Sequence, residues 1–333
     1  MVDDVSVPFQ LLKLPQKSSN YVFHRMLVAD LIGFSLTSKN AKLQTKRLGL
    51  KAEDVHLEIR SGIIIHISLQ HTFTYFKFYT NEYRTSEHRL EEECINMYLC
   101  TRLGEWKTPI FRVRQFLDHV LDIFHVTNIS ELEITTDHFE TTIYDSFDKL
   151  EIESFSMYHI DLNRLSLQYA LKKFSRKANQ LSILMSRNPF TAETSKQLQV
   201  VLTRNMDHIV LYHPIKYDLN DLFVTNTYSL MVDMKIEDVN MFLKHWIHGL
   251  DRKLELACFG YKELQLKNEA VVEILFKNVD YQVAPAEREL TIHPTGSQQI
   301  CVKGGYDVRR VDGTEENITV NSQRSLIDMV FWS

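Results

Sequence analysis

Glycine and proline are scarce in this 333-residue sequence, with 10 and 7 residues respectively, roughly half their usual shares. That scarcity argues against glycine-lined phosphate loops and long flexible linkers, and for one continuous packed body. Cysteine is scarcer still. Cys94, Cys100, Cys258 and Cys301 are too few and too scattered for a disulfide framework, and no pair has the close spacing of a structural zinc site. No run of about 18 apolar residues occurs, which excludes a membrane-spanning helix. Met1 to Gln10 carries two aspartates and no apolar signal core. Without a secretory signal, the acceptor patterns Asn128-Ile-Ser130 and Asn317-Ile-Thr319 read as chance matches. The expected setting is a reducing intracellular compartment, cytoplasmic or nuclear.

Charge of one sign is lacking as well. The formal net charge is −5 with acids and bases mixed along the chain. The densest basic cluster, Lys39 to Arg47, has no interleaved aromatics, so the footprint of a nucleic-acid binder is missing. Nucleophile elbow, phosphate-binding Walker loop, dinucleotide fingerprint and zincin motif are all missing too. His245 and His248 have a spacing that can chelate a metal, but they flank Trp246 and Ile247 on an amphipathic helix and read as boundary packing. Cys94 and Cys100 read as buried small hydrophobes, and Glu91-Glu92-Glu93 as a solvated helix face. No catalytic residue, metal ligand or cofactor site is expected. What remains is a binding protein.

Hydrophobic residues at 44% and charged residues at 24% are those of a folded soluble chain. Phe9 to Leu50 reads as a short helical module. Leu11-Leu12-Lys13-Leu14-Pro15 supplies apolar anchors and a proline suited to a helix start; Val22 and Met26 fall four apart on one face; Leu31, Phe34 and Ser38 align in the next helix. From Asp54 the period changes to two. His56 to Arg60 leads through Ser61-Gly62 into Ile63 to Ile67 as a hairpin, and Thr72 to Tyr79 is a third strand. Glu82 to Gly104 is expected to be helical in its charged part.

Strand and helix then alternate. Val113, Phe116, Leu117, Val120, Leu121 and Phe124 mark one helix, and Val239, Phe242, Leu243, Trp246, Ile247 and Leu250 mark the clearest. Strands are predicted at Glu131–Thr135, Lys149–Glu153, Gln180–Met185, His208–Tyr212, Tyr228–Asp233 and Lys253–Phe259. Successive strand centres lie roughly 20 to 30 residues apart, which leaves both a leucine-rich-repeat-like solenoid and an ordinary parallel α/β sheet open. The tail is β-rich, with a strand at Glu289–His293, a hairpin through Asp312-Gly313 in a primed turn and a last strand at Leu326–Trp332. The fold class is therefore α/β: a short N-terminal helical module, a domain of alternating strands and helices, and a β-rich C-terminal tail.

Three separated segments carry a resemblance. Phe9 to Pro15 with Val22, Met26, Asp30-Leu31-Ile32, Phe34-Ser35-Leu36 and Ser38-Lys39 resembles the F-box of nematode F-box proteins. Asn240 to Gly249 resembles the core motif of their F-box associated domain, type 2. Gly305-Tyr306-Asp307-Val308-Arg309-Arg310 with Asp312-Gly313, and the ending Val330-Phe331-Trp332, resembles their usual C-terminus. The resemblance implies an F-box at residues 8–50, a β-rich connecting region at 54–110 and an associated domain at 111–333. It also implies a substrate adaptor of an SCF-type ubiquitin ligase, docking a Skp-type adaptor, and through it a cullin, by Leu14, Pro15, Val22, Met26, Leu31, Phe34 and Ser35. The associated domain would select a target protein. Trp246, in the middle of its apolar stripe, reads as a core anchor. One departure stands out: the polar run Gln16-Lys17-Ser18-Ser19-Asn20 follows Leu14-Pro15, which lowers helix propensity there. The plainer reading of the same segment is a helical cap on the α/β body, in an interaction scaffold whose F-box is vestigial.

Overall fold

The computed structural model describes residues 11–60, 62–78, 96–99, 105–107, 113–135, 141–158, 164–185, 195–212, 218–249, 253–261, 266–293 and 299–332. Their contacts divide the chain into two units, residues 1–131 with 146–151, and residues 132–145 with 152–333. The expected helix in the charged part of 82–95 lies outside the described residues; Asn96–Leu99, at the end of that stretch, is a strand.

Unit one opens with a 3-10 turn at Leu11–Lys13 and the helices α1 (Gln16–Phe23), α2 (Val28–Leu36) and α3 (Lys39–Arg47). Helix α1 forms across the polar run in spite of its low propensity. Ser19 and Phe23, one turn apart, are buried, and the Phe23 ring lies 4.9 Å from that of Phe34 on α2; burial of one stripe outweighs propensity. Because α1 stops at Phe23, Met26 lies in the turn beyond it and does not extend a Val22 face. Ser38 likewise is not part of α2: it caps α3, its hydroxyl accepting from Ala41 N at 3.1 Å.

Strands β1 (Asp54–Ile59), β2 (Ile63–Leu69), β3 (Thr72–Phe78), β4 (Asn96–Leu99) and β5 (Glu105–Lys107) pair antiparallel in sequence order. Leu57, Ile65 and Phe76 share one row and one face, and α4 (Val113–Ile123) covers it, with Phe116 5.0 Å from Phe76 and 5.2 Å from Phe78. The β2–β3 loop is the two-residue Gln70-His71, both at positive φ of 51° and 61°, a primed turn without the usual Asn or Gly. Helix α4, expected at the start of the associated domain, packs in unit one. Asp122 holds Lys42 and Lys46 of α3 at 2.8 and 2.5 Å.

The chain passes between the units within β6 (Asn128–Ile134), α5 (Thr141–Ser146) and the start of β7 (Glu151–Tyr158). Unit two continues with α6 (Arg164–Phe174), β8 (Gln180–Leu184), α7 (Ser195–Leu202), β9 (His208–Tyr212), α8 (Leu219–Val224), β10 (Ser229–Asp233), α9 (Ile236–Ile247) and β11 (Leu256–Gly260). Strands β7 to β11 are parallel and stand side by side in sequence order. After α10 (Asn268–Leu275) come β12 (Gln282–Val283), β13 (Glu289–Ile292), β14 (Ile300–Lys303), β15 (Tyr306–Arg309), β16 (Glu315–Asn321) and β17 (Leu326–Trp332). Strand β17 pairs antiparallel with β11, then β16, β15 and β12 extend the sheet outward. The result is a mixed sheet with helices in its crossovers. Strands β13 and β14 form a separate two-stranded ribbon.

Side chains alternate across these strands. One face meets helices: Phe155 lies 5.6 Å from Phe174 of α6, and Phe259 5.1 Å from Phe242 of α9. The expected primed turn at Asp312-Gly313 is absent. Arg309 and Glu315 pair, Arg310 N donates to Thr314 O at 2.8 Å, and within the turn only Gly313 has positive φ, 92°. Asp312 is used instead as an acceptor for Thr314 N at 2.9 Å, which holds a longer loop ending in a left-handed glycine.

Candidate functional site

The expected docking residues of the N-terminal helices differ in exposure. Pro15 is exposed at the start of α1, and Leu14, Val22, Met26 and Phe34 are half-buried. Leu31 and Ser35 are different: each is 1% exposed. Leu31 is a core residue of unit one, and the Ser35 hydroxyl donates to Ile32 O at 2.6 Å and lies 2.7 Å from His119 Nε2 of α4. Since the serine proton is used on Ile32, His119 donates through Nε2. Burial, with the charge of Lys42 added to it, lowers the imidazole to about 4 and keeps it neutral. Leu31 and Ser35 offer no surface to a partner in this arrangement. Two residues that the sequence reading passed over are the open ones: Tyr21 is 60% and Leu27 54% exposed, with the Arg25 guanidinium 4.3 Å from the Tyr21 ring. Both flank expected anchors in sequence; Tyr21 lies on α1 away from the buried Ser19 and Phe23, and Leu27 is the residue before α2.

Unit two holds a cleft of about 570 Å³ on the sheet face away from α9, a size common for ligand sites. Its floor is a row across four strands, Met231 on β10, Cys258 on β11, Asp328 on β17 and Thr319 on β16, all register partners. The β13–β14 ribbon forms one wall. Leu290, Ile292 and Ile300 of the ribbon pack on the buried group Leu256, Val302 and Val330, which seats the ribbon on the sheet beside the cleft. The thiol of Cys258 donates to Asp328, and burial pushes both groups upward, the thiol far out of its reactive range and the carboxyl above an ordinary aspartate. Asp233 adds a second carboxylate next to Cys258. Its Oδ1 occupies the space that a β-carbon at position 260 would fill, so Gly260 is required there. Tyr212, in the field of the same groups and desolvated, is pushed up to about 12.

Two of the three segments behind the sequence resemblance, residues 240–249 and the C-terminal stretches 305–313 and 330–332, meet around Trp246 in unit two. Trp246 is 3% exposed; Phe331 of β17 lies 5.1 Å from its ring, and the Arg310 guanidinium is 5.2 Å above it. Val311 N donates to Ile247 O at 3.2 Å, tying the β15–β16 loop to the end of α9. Behind it, Arg288 grips Asp307 with two hydrogen bonds of 2.6 and 2.5 Å, and Asn317 Nδ2 donates to Gly304 O and Asp307 at 2.9 and 3.1 Å. Asn317 is wholly buried, so its acceptor-like triplet is closed to glycosylation in the folded chain. These motif residues hold the fold together. The exposed Tyr21 and Leu27 and the cleft lie elsewhere.

Unit two is thus a mixed-sheet α/β unit with one face packed by helices and a cleft on the other. Residues 197–259, from α7 to β11, match the family described as F-box associated. No curated protein and no solved structure matches the chain. Among the described residues no helix is long and apolar enough to cross a membrane.

Proposed function

We propose that the chain is the substrate-recognition adaptor of an SCF-type ubiquitin ligase, with an F-box at residues 8–50 that docks a Skp-type adaptor and, through it, a cullin. Unit two, with its repeat-like run of parallel strands, binds the target protein. The observation that carries this reading is the F-box associated match over residues 197–259. The N-terminal helices support it, because Tyr21 and Leu27 stand open beside Leu14, Pro15, Val22, Met26 and Phe34. Apolar and aromatic anchors of this kind dominate interfaces. No chemistry on the chain itself is needed: the adaptor holds a target near a ubiquitin-conjugating partner, and its contribution is proximity.

A second reading, an interaction scaffold with a vestigial F-box, draws on the burial of Leu31 and Ser35 and on the tie of α2 and α3 to α4 through His119 and Asp122. A pull-down of purified Skp-type adaptor by the full chain separates the two, with Leu14→Ala/Pro15→Ala as control. Adaptor retained by the wild type and lost by the double variant supports the ligase reading. A folded wild type that retains none sinks it in favour of the scaffold.

A further inference from the structure

The cleft of unit two is bordered by two strand edges. Ile300, Cys301, Val302 and Lys303, all four residues of β14, line it. Consecutive residues of a strand point to opposite faces, so a cleft that touches all four runs along the strand's edge. That edge has no partner among the described residues, because β14 pairs only with β13. Across the cleft, Thr319, Val320 and Asn321 of β16 lie past the last residue that β15 pairs, Ile318. They too keep one side without a strand among the described residues. An unpaired edge is a row of unsatisfied N–H and C=O groups, a template for another strand.

We infer that this cleft is a slot for an extended segment of a target polypeptide, added as a strand along β14 and carrying lysine or arginine at an inward position. The inference rests on the target-binding reading of unit two. A strand added to β14 lengthens the ribbon over the sheet, and its alternate side chains then face the floor row. Met231 takes an apolar neighbour there, and Asp328, whose hydrogen-bond donor is the Cys258 thiol, takes the cation. The charges on the rim agree with this choice. Lys303 is already paired with Glu289, so it does not repel an incoming cation as a free lysine does; Arg324 also acts on Asp328 through its charge, and Asp233 offsets it with a second negative charge beside Cys258. Main-chain pairing supplies affinity and the side-chain floor supplies selection, as in other strand-addition sites.

The test titrates the full chain into a fluorescein-labelled heptapeptide of alternating lysine and valine, blocked at both ends, read by anisotropy. Saturable binding is expected. Methylating alternate peptide nitrogens in the two available patterns separates the edges: one pattern removes the pairing donors and weakens binding about tenfold or more, and the other leaves it unchanged. Asp328→Asn weakens binding about tenfold, and Thr319→Trp, on the floor row, abolishes it by filling the slot. No saturable binding, equal loss from both methylation patterns, or full affinity in a folded Thr319→Trp overturns the slot. The adaptor pull-down on the same preparation keeps the two questions apart. Adaptor retention with no peptide binding removes the slot and leaves the ligase reading; peptide binding without adaptor leaves the slot on a scaffold.

Discussion

Glu316 on β16 is a carboxyl with no hydrogen-bond donor at either oxygen. It is wholly buried and faces Val308 and Phe331 across its two neighbouring strands. Arg310 is near enough to act through its charge but makes its contacts with Asp312 and Trp246. Burial raises the carboxyl well above its ordinary value of 4.5, so folding takes up a proton that the unfolded chain releases. The sign follows from linkage: this contribution to stability is fully present below about 4.5 and is lost as pH rises toward the raised folded value. Glu316→Gln removes the titrating group and flattens that part of the pH dependence. Glu316→Leu also removes two unsatisfied oxygens, and at neutral pH it is expected to stabilise unit two by about 1–3 kcal/mol, roughly 2–4 °C in Tm per kcal/mol for a unit of this size. The assay is urea unfolding of wild type and both variants at several pH values between about 5 and about 8. A difference between wild type and Glu316→Gln that stays constant with pH refutes the argument, as does a destabilised Glu316→Leu.

Three further outcomes are expected. Gly305→Ala destabilises unit two by roughly 1–3 kcal/mol, because the residue sits at φ +98° with a would-be β-carbon 2.7 Å from Ile318 O; urea unfolding measures it. Asp122→Ala costs unit one only about 0.5 kcal/mol, since the paired groups are more than a third exposed and solvent screens them; the loss disappears at high salt. Hydrogen bonds from Lys42 and Lys46 hold Asp122 down to about 2, so its contribution is present above the ordinary 3.8 and is lost as acid titration approaches about 2. Tyr21→Ala/Leu27→Ala changes stability by less than about 0.5 kcal/mol while weakening retention of a Skp-type adaptor about tenfold or more.

Elements with one long apolar stripe were readable in the sequence. Helices α4 and α9 lie where the spacing of Phe116, Val120, Phe242 and Trp246 places them, and β9 and β17 coincide with their predicted spans. Short elements were not. Helix α8 has six residues, and its signal was the Asp218 carboxylate that accepts from Asn220 N at 2.9 Å, a cap without a periodic stripe behind it. Strand β14 buries only Val302, and its burial depends on Leu256 and Val330, distant in sequence. The same cause hid the cleft: Met231, Cys258, Thr319 and Asp328 become neighbours only through strand order. The motif residues were visible because they repeat a packing solution. The open residues Tyr21 and Leu27 were hidden because their exposure depends on which face of the short helices α1 and α2 is packed.

The position of β17 has a consequence for how the chain is made. It is synthesised after every strand it touches, yet it sits between β11 and β16 in the interior of the sheet. During translation the parallel run β7 to β11 emerges with one edge open, and β15 with β16 emerges as a hairpin with no strand joining it to β11. The two halves do not become one sheet until residues 326–332 arrive and join them. A premature stop that removes only this segment therefore takes out a central strand, separates Phe331 from Trp246, and leaves two raw edges where the finished protein has none.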